Sequence, residues 1–179
     1  MLPALVVTEN DETLSFDFDD LVRYHGKRSI CGLTVAYKVM EAAWDTAWTG
    51  TPPERDRLVV ASGFPGPGAR DGFEMVTRAV TRGAYEILSE VMAGPRVAEA
   101  AKGAYFFRLS DDRNIIELGL KPEVVPPEFV TRRRKLARGV ASAAEAAEFR
   151  ALQLAFSDQL RAMSASDAIN VLEHREVPT

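Results

Sequence analysis

One apolar segment constrains the fold of this chain more than any other. From Gly32 onward, apolar residues recur at the three- and four-residue spacing of a helix: Leu33, Ala36, Tyr37, Met40, Trp44 and Ala47. Residues 49–56, TGTPPERD, end this pattern with two prolines, which terminate helices because proline lacks a backbone N–H. The spacing therefore predicts a core helix, which other elements must cover.

Strand-like segments lie on both sides of this helix. Residues 2–8 are a short apolar run, and residues 13–18 alternate apolar and polar side chains, as strands do. Residues 57–64 predict a buried strand, while residues 103–110 and 114–120 flank the turn sequence SDDRN and predict a hairpin. The mixed order of strands and helices predicts an α+β fold.

Capping residues indicate further helices. Asp17 or Asp19 is positioned to cap a short helix that ends at Gly26. Asp71 is positioned to cap a longer helix over residues 71–92.

The C-terminal third is predicted to be helical. Residues 129–140 and 142–163 predict two helices, and Ser142 and Glu145 have capping-box spacing at the start of the second. The second helix has one apolar face, from Phe149 to Met163, for the domain or for a partner chain. We expect a single domain over 1–179, with a core of about 1–120 and a helical segment of about 121–179.

Composition excludes several classes of function. The net charge is -4 and the pI is about 5.3. The chain therefore lacks the overall positive charge that favours binding to nucleic acid or to an anionic membrane. The single cysteine excludes an intrachain disulfide and a cysteine-rich zinc finger. No stretch is apolar over the roughly 18 residues that a membrane span needs. We expect a cytoplasmic protein with no nucleic-acid or membrane partner, and the RRRK run of residues 132–135 is interpreted as solvated surface.

The segment YHGKRSICG, residues 24–32, contains several residues whose side chains can take part in catalysis or ligand binding. His25 either caps the preceding helix or has a functional role, as an acid or base or as a metal ligand. Lys27, Arg28 and Ser29 precede a helix N-terminus and predict an anion site. Cys31 is either a thiolate stabilised there or an inert buried thiol.

A second loop, SGFPGPGARD over residues 62–71, is rich in glycine and proline. Gly66 and Gly68 permit close approach of the backbone to a ligand. Asp71 at its end is the nearest plausible third metal ligand after His25 and Cys31.

These two segments resemble the FmdE family, which is related to a component of formylmethanofuran dehydrogenase. The family signature is HGHxCPGL before a helix, followed by a strand ending in NDxCxxDAxQ, and the matching stretches here are residues 24–44 and 59–80. Further similarity extends over roughly residues 17–165. His25 and Gly26 match the opening HG, Gly32 and Leu33 match the closing GL, and Asp71 matches the aspartate. Lys27 replaces the second histidine, Cys31 is displaced by one position, and the zinc-finger extension of some members is absent.

The resemblance implies a dimeric α+β protein with a core of mixed sheet packed against helices. Its cleft lies between the 25–32 and 63–71 loops and is often associated with a metal. A divalent metal such as zinc would have His25 and Cys31 as ligands, but Lys27 adds repulsion toward a cation. We therefore expect a small anionic ligand. The predicted ligand-binding residues are Tyr24, Lys27, Arg28, Ser29, Gly32, Gly66, Gly68, Arg70 and Asp71.

Three functions remain open at this stage. The first is an FmdE-like ligand-binding protein, accessory to one-carbon or molybdenum and tungsten enzyme metabolism. The second is an enzyme for a small organic acid, with His25 as general acid or base and Cys31 as nucleophile or ligand. The third is a structural or partner-binding homodimer that uses the apolar face of residues 149–163.

Overall fold

The computed structural model describes residues 2–178, and these have an α+β fold. The strands are β1 (Leu5–Glu9), β2 (Glu12–Phe16), β3 (Val59–Ser62), β4 (Tyr85–Ile87), β5 (Phe106–Ser110), β6 (Asn114–Leu120) and β7 (Ile169–Glu176). The helices are α1 (Phe18–His25), α2 (Ile30–Ala47), α3 (Pro67–Thr77), α4 (Phe129–Ala137), α5 (Ala143–Ala162) and α6 (Ala165–Ala168). The fold class predicted from the sequence is confirmed, including the helical C-terminal portion.

Five strands form the main sheet in the order β4-β3-β5-β6-β7. β3 and β4 are parallel, and every other pair in this sheet is antiparallel. β5 and β6 form the predicted hairpin, whose turn is closed because Asp111 accepts hydrogen bonds from the backbone N–H groups of Arg113 and Asn114. β1 and β2 form a separate antiparallel pair.

α2 is the predicted core helix and begins at Ile30. Every residue from Ile30 to Ala43 is buried, because α2 packs against α3, α5 and strand β6. Within residues 2–178, no helix is both long and apolar enough to span a membrane.

The helix predicted over residues 71–92 is wrong at both ends. α3 begins four residues earlier, with Gly66 as N-cap and Pro67 in the first turn, so Asp71 lies inside the helix and does not cap it. The helix ends at Thr77, and the carboxylate of Glu74 then accepts the backbone N–H groups of Val80 and Thr81 at 2.7 and 3.1 Å. These bonds stabilise a turn, after which residues 85–87 pair with β3 as β4.

The caps predicted for the other helices are confirmed. Asp17 and Ser142 each form a capping box at the start of α1 and α5. α1 ends at His25, and Gly26 has a φ of 81°, a value that favours glycine.

The apolar face of α5 packs on this domain. Phe149, Phe156 and Leu160 are buried in the main core, against α2 and α4. After α5, residues 169–176 form β7, a strand that the sequence pattern did not predict, and β7 completes the sheet beside β6.

Candidate functional site

A cavity of about 270 Å³ lies between the two loops singled out from the sequence. Ser29, Cys31 and Gly32 contribute one wall, and residues 64–68 contribute another. The remaining wall comes from three parts of the chain: the segment before β5 with Ala101, Lys102 and Tyr105, helix α4 with Phe129, Arg133 and Ala137, and Gln153 of α5. The predicted cleft residues Ser29, Gly32, Gly66 and Gly68 are therefore brought together.

Glycines allow α2 and α3 to meet at this cavity. A Cβ atom on Gly68 would overlap the carbonyl oxygen of Ser29 and lie 2.9 Å from the backbone nitrogen of Leu33. A Cβ on Gly32 would lie 3.0 Å from the backbone nitrogen of Ala69. Gly32 and Gly68 thus have a packing role, because they let the first turns of the two helices approach backbone to backbone.

Both helix N-termini at the cavity lack a side-chain cap. Ser29 and Gly66 occupy the N-cap positions of α2 and α3, make no capping hydrogen bond through a side chain, and are followed by no acidic residue in the first turn. The first N–H groups of a helix have no partner within the helix, and the helix dipole places partial positive charge there. Two such ends at one cavity favour an anion.

Two cations, Lys102 and Arg133, complete the cavity wall, and no carboxylate among residues 2–178 lines it. Arg133 belongs to the RRRK run that the sequence pattern assigned to solvated surface. The other three cations of this run pair with glutamates: Arg132 with Glu148, Arg134 with Glu99, and Lys135 with Glu145. Arg133 makes no ion pair within the described chain and lies at the cavity instead.

The buried part of the wall is uncharged. Cys31 is 3% exposed, its Sγ donates to the carbonyl oxygen of Gln153 at 2.9 Å, and burial raises the pKa of the thiol to about 12. Burial also raises the pKa of Tyr105, and its hydroxyl makes no hydrogen bond to any of residues 2–178. The shift at Cys31 is opposite to that expected for a thiolate stabilised at a helix N-terminus, because desolvation by burial outweighs the backbone hydrogen bonds from Ser157 and Cys31, which lower the pKa.

His25 pairs with Asp71 outside this cavity. The Nδ1 atom of His25 lies 2.8 Å from Oδ2 of Asp71, while Oδ1 of Asp71 accepts a hydrogen bond from Arg70 at 3.2 Å. The imidazole side chain is only 8% exposed, and its Nε2 is buried without a hydrogen-bond partner in the described chain. A histidine whose Nδ1 is held by a carboxylate is oriented for proton transfer at Nε2.

The residues do not fit the metal site that the family resemblance implies. Among residues 2–178, no three His, Cys, Asp or Glu side chains come together as a set that could hold a metal ion. His25 and Asp71 are bonded to each other, and Cys31 is bonded to the backbone of α5. The expected zinc ligands His25 and Cys31 are therefore not assembled with a third donor.

Three predicted ligand-binding cations and one tyrosine lie away from the cavity. Lys27 and Arg28 line a separate surface depression with Arg150. Arg70 is exposed and pairs with Asp71. Tyr24 is 53% exposed and lies beside Glu74 and neighbouring residues. None of the three predicted ligand-binding cations, Lys27, Arg28 and Arg70, lines the cavity.

Lys102, Tyr105 and Arg133 are among the cavity residues that the sequence did not indicate. The four consecutive cations of residues 132–135 could be recognised, but which of them faces the cavity depends on how α4 docks. No protein-family model matches this chain, and no curated protein matches it.

Proposed function

We propose that this protein binds a small organic anion in the cavity between the 25–32 and 63–71 loops. One observation carries the proposal: two uncapped helix N-termini and two cations, Lys102 and Arg133, meet at a cavity that no carboxylate of the described chain lines. Such an arrangement attracts negative charge and supplies N–H donors for it.

We further propose that the chain is a divergent FmdE-like protein, accessory to one-carbon or molybdenum and tungsten enzyme metabolism. Support for this comes from the residues that carry the resemblance. His25 and Gly26 end α1, Gly32 and Leu33 lie in the first turn of α2, and Asp71 lies in α3. The homodimer is part of the same proposal, and it uses a surface other than the apolar face of α5, which its own chain covers.

Calorimetric titration with acetate, benzoate and inorganic phosphate tests anion binding, with benzamide as an uncharged control. Arg133→Ala and Lys102→Ala are each expected to weaken the preferred anion by about tenfold or more, because each removes a charge-assisted hydrogen bond. Arg132→Ala removes a neighbouring cation that pairs with Glu148 outside the cavity and is expected to leave affinity unchanged. Lys27→Ala is expected to behave like this control. No binding of any anion, or equal losses in all four variants, contradicts the proposal.

A second candidate is an enzyme for a small organic acid, and the His25–Asp71 pair favours it. The neutral, buried thiol of Cys31 does not favour a nucleophile, so this candidate depends on His25 as general acid or base. Nε2 of His25 is buried, so a substrate reaches it only when the residues that cover it move.

Deuterium incorporation into a panel of small carboxylic acids in D₂O, followed by proton NMR, tests the enzyme candidate. The expected result is exchange at the carbon next to the carboxylate, lost in His25→Gln. An unchanged spectrum for every acid that binds contradicts catalysis by proton abstraction and leaves the binding function intact. Sedimentation of the full chain at several concentrations tests the dimer.

A further inference from the structure

We infer that the anion of this cavity is carried on a flat apolar body, so that the ligand class is an aromatic or similarly planar carboxylate. The inference rests on the proposed binding of an organic anion and adds the shape and polarity of the rest of the ligand. It follows from how charge and burial are divided over the cavity wall.

The charged and uncharged parts of the wall occupy different depths. Lys102 and Arg133 are exposed at the mouth, whereas Cys31, Tyr105 and Phe129 are 3%, 4% and 4% exposed. The thiol and the phenol are both neutral at physiological pH, and burial raises their pKa values further. A ligand that fills the cavity therefore places its negative charge toward Lys102, Arg133 and the half-exposed N-cap residue of α2, Ser29, and its uncharged portion inside.

Aromatic rings and small residues shape the interior. The rings of Phe64 and Tyr105 contact each other at a tilt of 44°, with centroids 4.5 Å apart, and a Cβ atom on Gly66 would overlap the Phe64 ring. Residues 65–68 add only proline and glycine. Rings prefer offset or edge contacts with other rings, so a planar body fits this wall.

The size of the cavity argues against an inorganic ion as its natural occupant. A volume of about 270 Å³ is close to the lower end of the range of small-molecule pockets, roughly 300 Å³. Acetate or phosphate would leave much of the apolar wall uncovered, whereas a ring with one or two substituents would cover it. The unpaired hydroxyl of Tyr105 supplies one hydrogen-bond donor for an oxygen of such a ligand.

The test compares four probes by calorimetry on the full chain: acetate, benzoate, benzyl alcohol and adamantane-1-carboxylate. Benzoate is expected to bind at least tenfold more tightly than acetate, benzyl alcohol or adamantane-1-carboxylate. Ala137→Trp, which fills the cavity mouth, is expected to abolish benzoate binding. Ala155→Trp, on an exposed position of α5, is the matched control and is expected to keep it.

The outcomes separate this inference from the proposed function. Equal affinities for acetate and benzoate contradict the inference that the ligand has a planar apolar group, while the proposed anion binding stands. Equal affinities for benzoate and the adamantane acid overturn planarity. Equal affinities for benzoate and benzyl alcohol contradict recognition of the negative charge, and hence both proposals. Full benzoate binding by Ala137→Trp contradicts binding in this cavity, and hence also both proposals. A tenfold loss of benzoate affinity in Tyr105→Phe supports a hydrogen bond from the Tyr105 hydroxyl to the ligand. An unchanged affinity contradicts this hydrogen bond.

Discussion

The imidazole of His25 and the carboxylate of Asp71 lie 2.8 Å apart and join the last residue of α1 to the interior of α3. This contact fixes the end of α1, which leads directly into the loop before the cavity. The imidazole is nearly buried, and its only hydrogen-bond partner within residues 2–178 is the aspartate.

Asp71→Ala is expected to lower the free energy of unfolding by about 1–3 kcal/mol, because both ring nitrogens of a buried histidine then lack a partner. Urea denaturation at pH 7 measures this loss. Arg70→Ala removes the other, more exposed partner of Asp71 and is expected to change stability by less than about 0.5 kcal/mol. Equal losses of stability in the two variants would mean that the contact between His25 and Asp71 stabilises the protein no more than the exposed pair of Arg70 and Asp71 does.

Gly68→Ala is expected to destabilise the protein by about 3 kcal/mol or more, because the added Cβ overlaps the backbone of α2 at Ser29 and a helix must move to relieve it. Thermal and urea unfolding measure the loss. Gly94→Ala is the control, since a Cβ there meets no atom within 4 Å. If the two variants are equally stable, the close crossing of α2 and α3 is wrong.

Lys38→Ala is expected to lower the free energy of unfolding by roughly 3–5 kcal/mol. Lys38 is 1% exposed, and its ammonium donates to Glu41 at 2.8 Å and to the carbonyl of Met163 at 2.7 Å. Its removal leaves a buried carboxylate without its cation. Lys135→Ala breaks an exposed pair with Glu145 and is expected to lose far less stability, because solvent screens an exposed ion pair. Chemical denaturation of both variants checks the difference, and similar losses would contradict a buried ion pair.

Cys31 is expected to make stability fall at alkaline pH. Its pKa is raised from an ordinary 9.0 to about 12 in the folded protein, so the unfolded chain releases the thiol proton first. The resulting stability is present below about pH 9 and is lost as the pH rises toward 12. Unfolding of the wild type and of Cys31→Ser, measured from pH 7 to 10.5, is expected to show a stability difference that shifts against the wild type only above pH 9.

A difference that stays constant over that pH range would contradict a raised thiol pKa. Alkylation provides an independent measurement on the same cysteine. Iodoacetamide is expected to modify Cys31 slowly in the native protein and rapidly in guanidinium, because the thiolate is the reactive form. Rapid modification of the native protein would restore Cys31 as a candidate nucleophile.

Local signals in the sequence determined much of the fold. The apolar spacing of residues 33–47 predicted α2, Asp17 and Ser142 predicted the starts of α1 and α5, and SDDRN predicted the turn between β5 and β6. Each of these signals acts over a few residues, through side-chain periodicity or a hydrogen bond to a nearby backbone N–H. For the same reason the two loops that border the cavity were recognisable.

Only the tertiary structure decided where α3 ends and which residues complete the site. The turn after Thr77 depends on the carboxylate of Glu74 and on pairing of β4 with β3, and a helical pattern alone contains neither. Arg133 is one of four adjacent cations, and the docking of α4 on α5 decides that it, rather than its neighbours, lines the cavity. His25 meets Asp71 across 46 residues. Such contacts arise from the packing of distant elements, which no local pattern encodes.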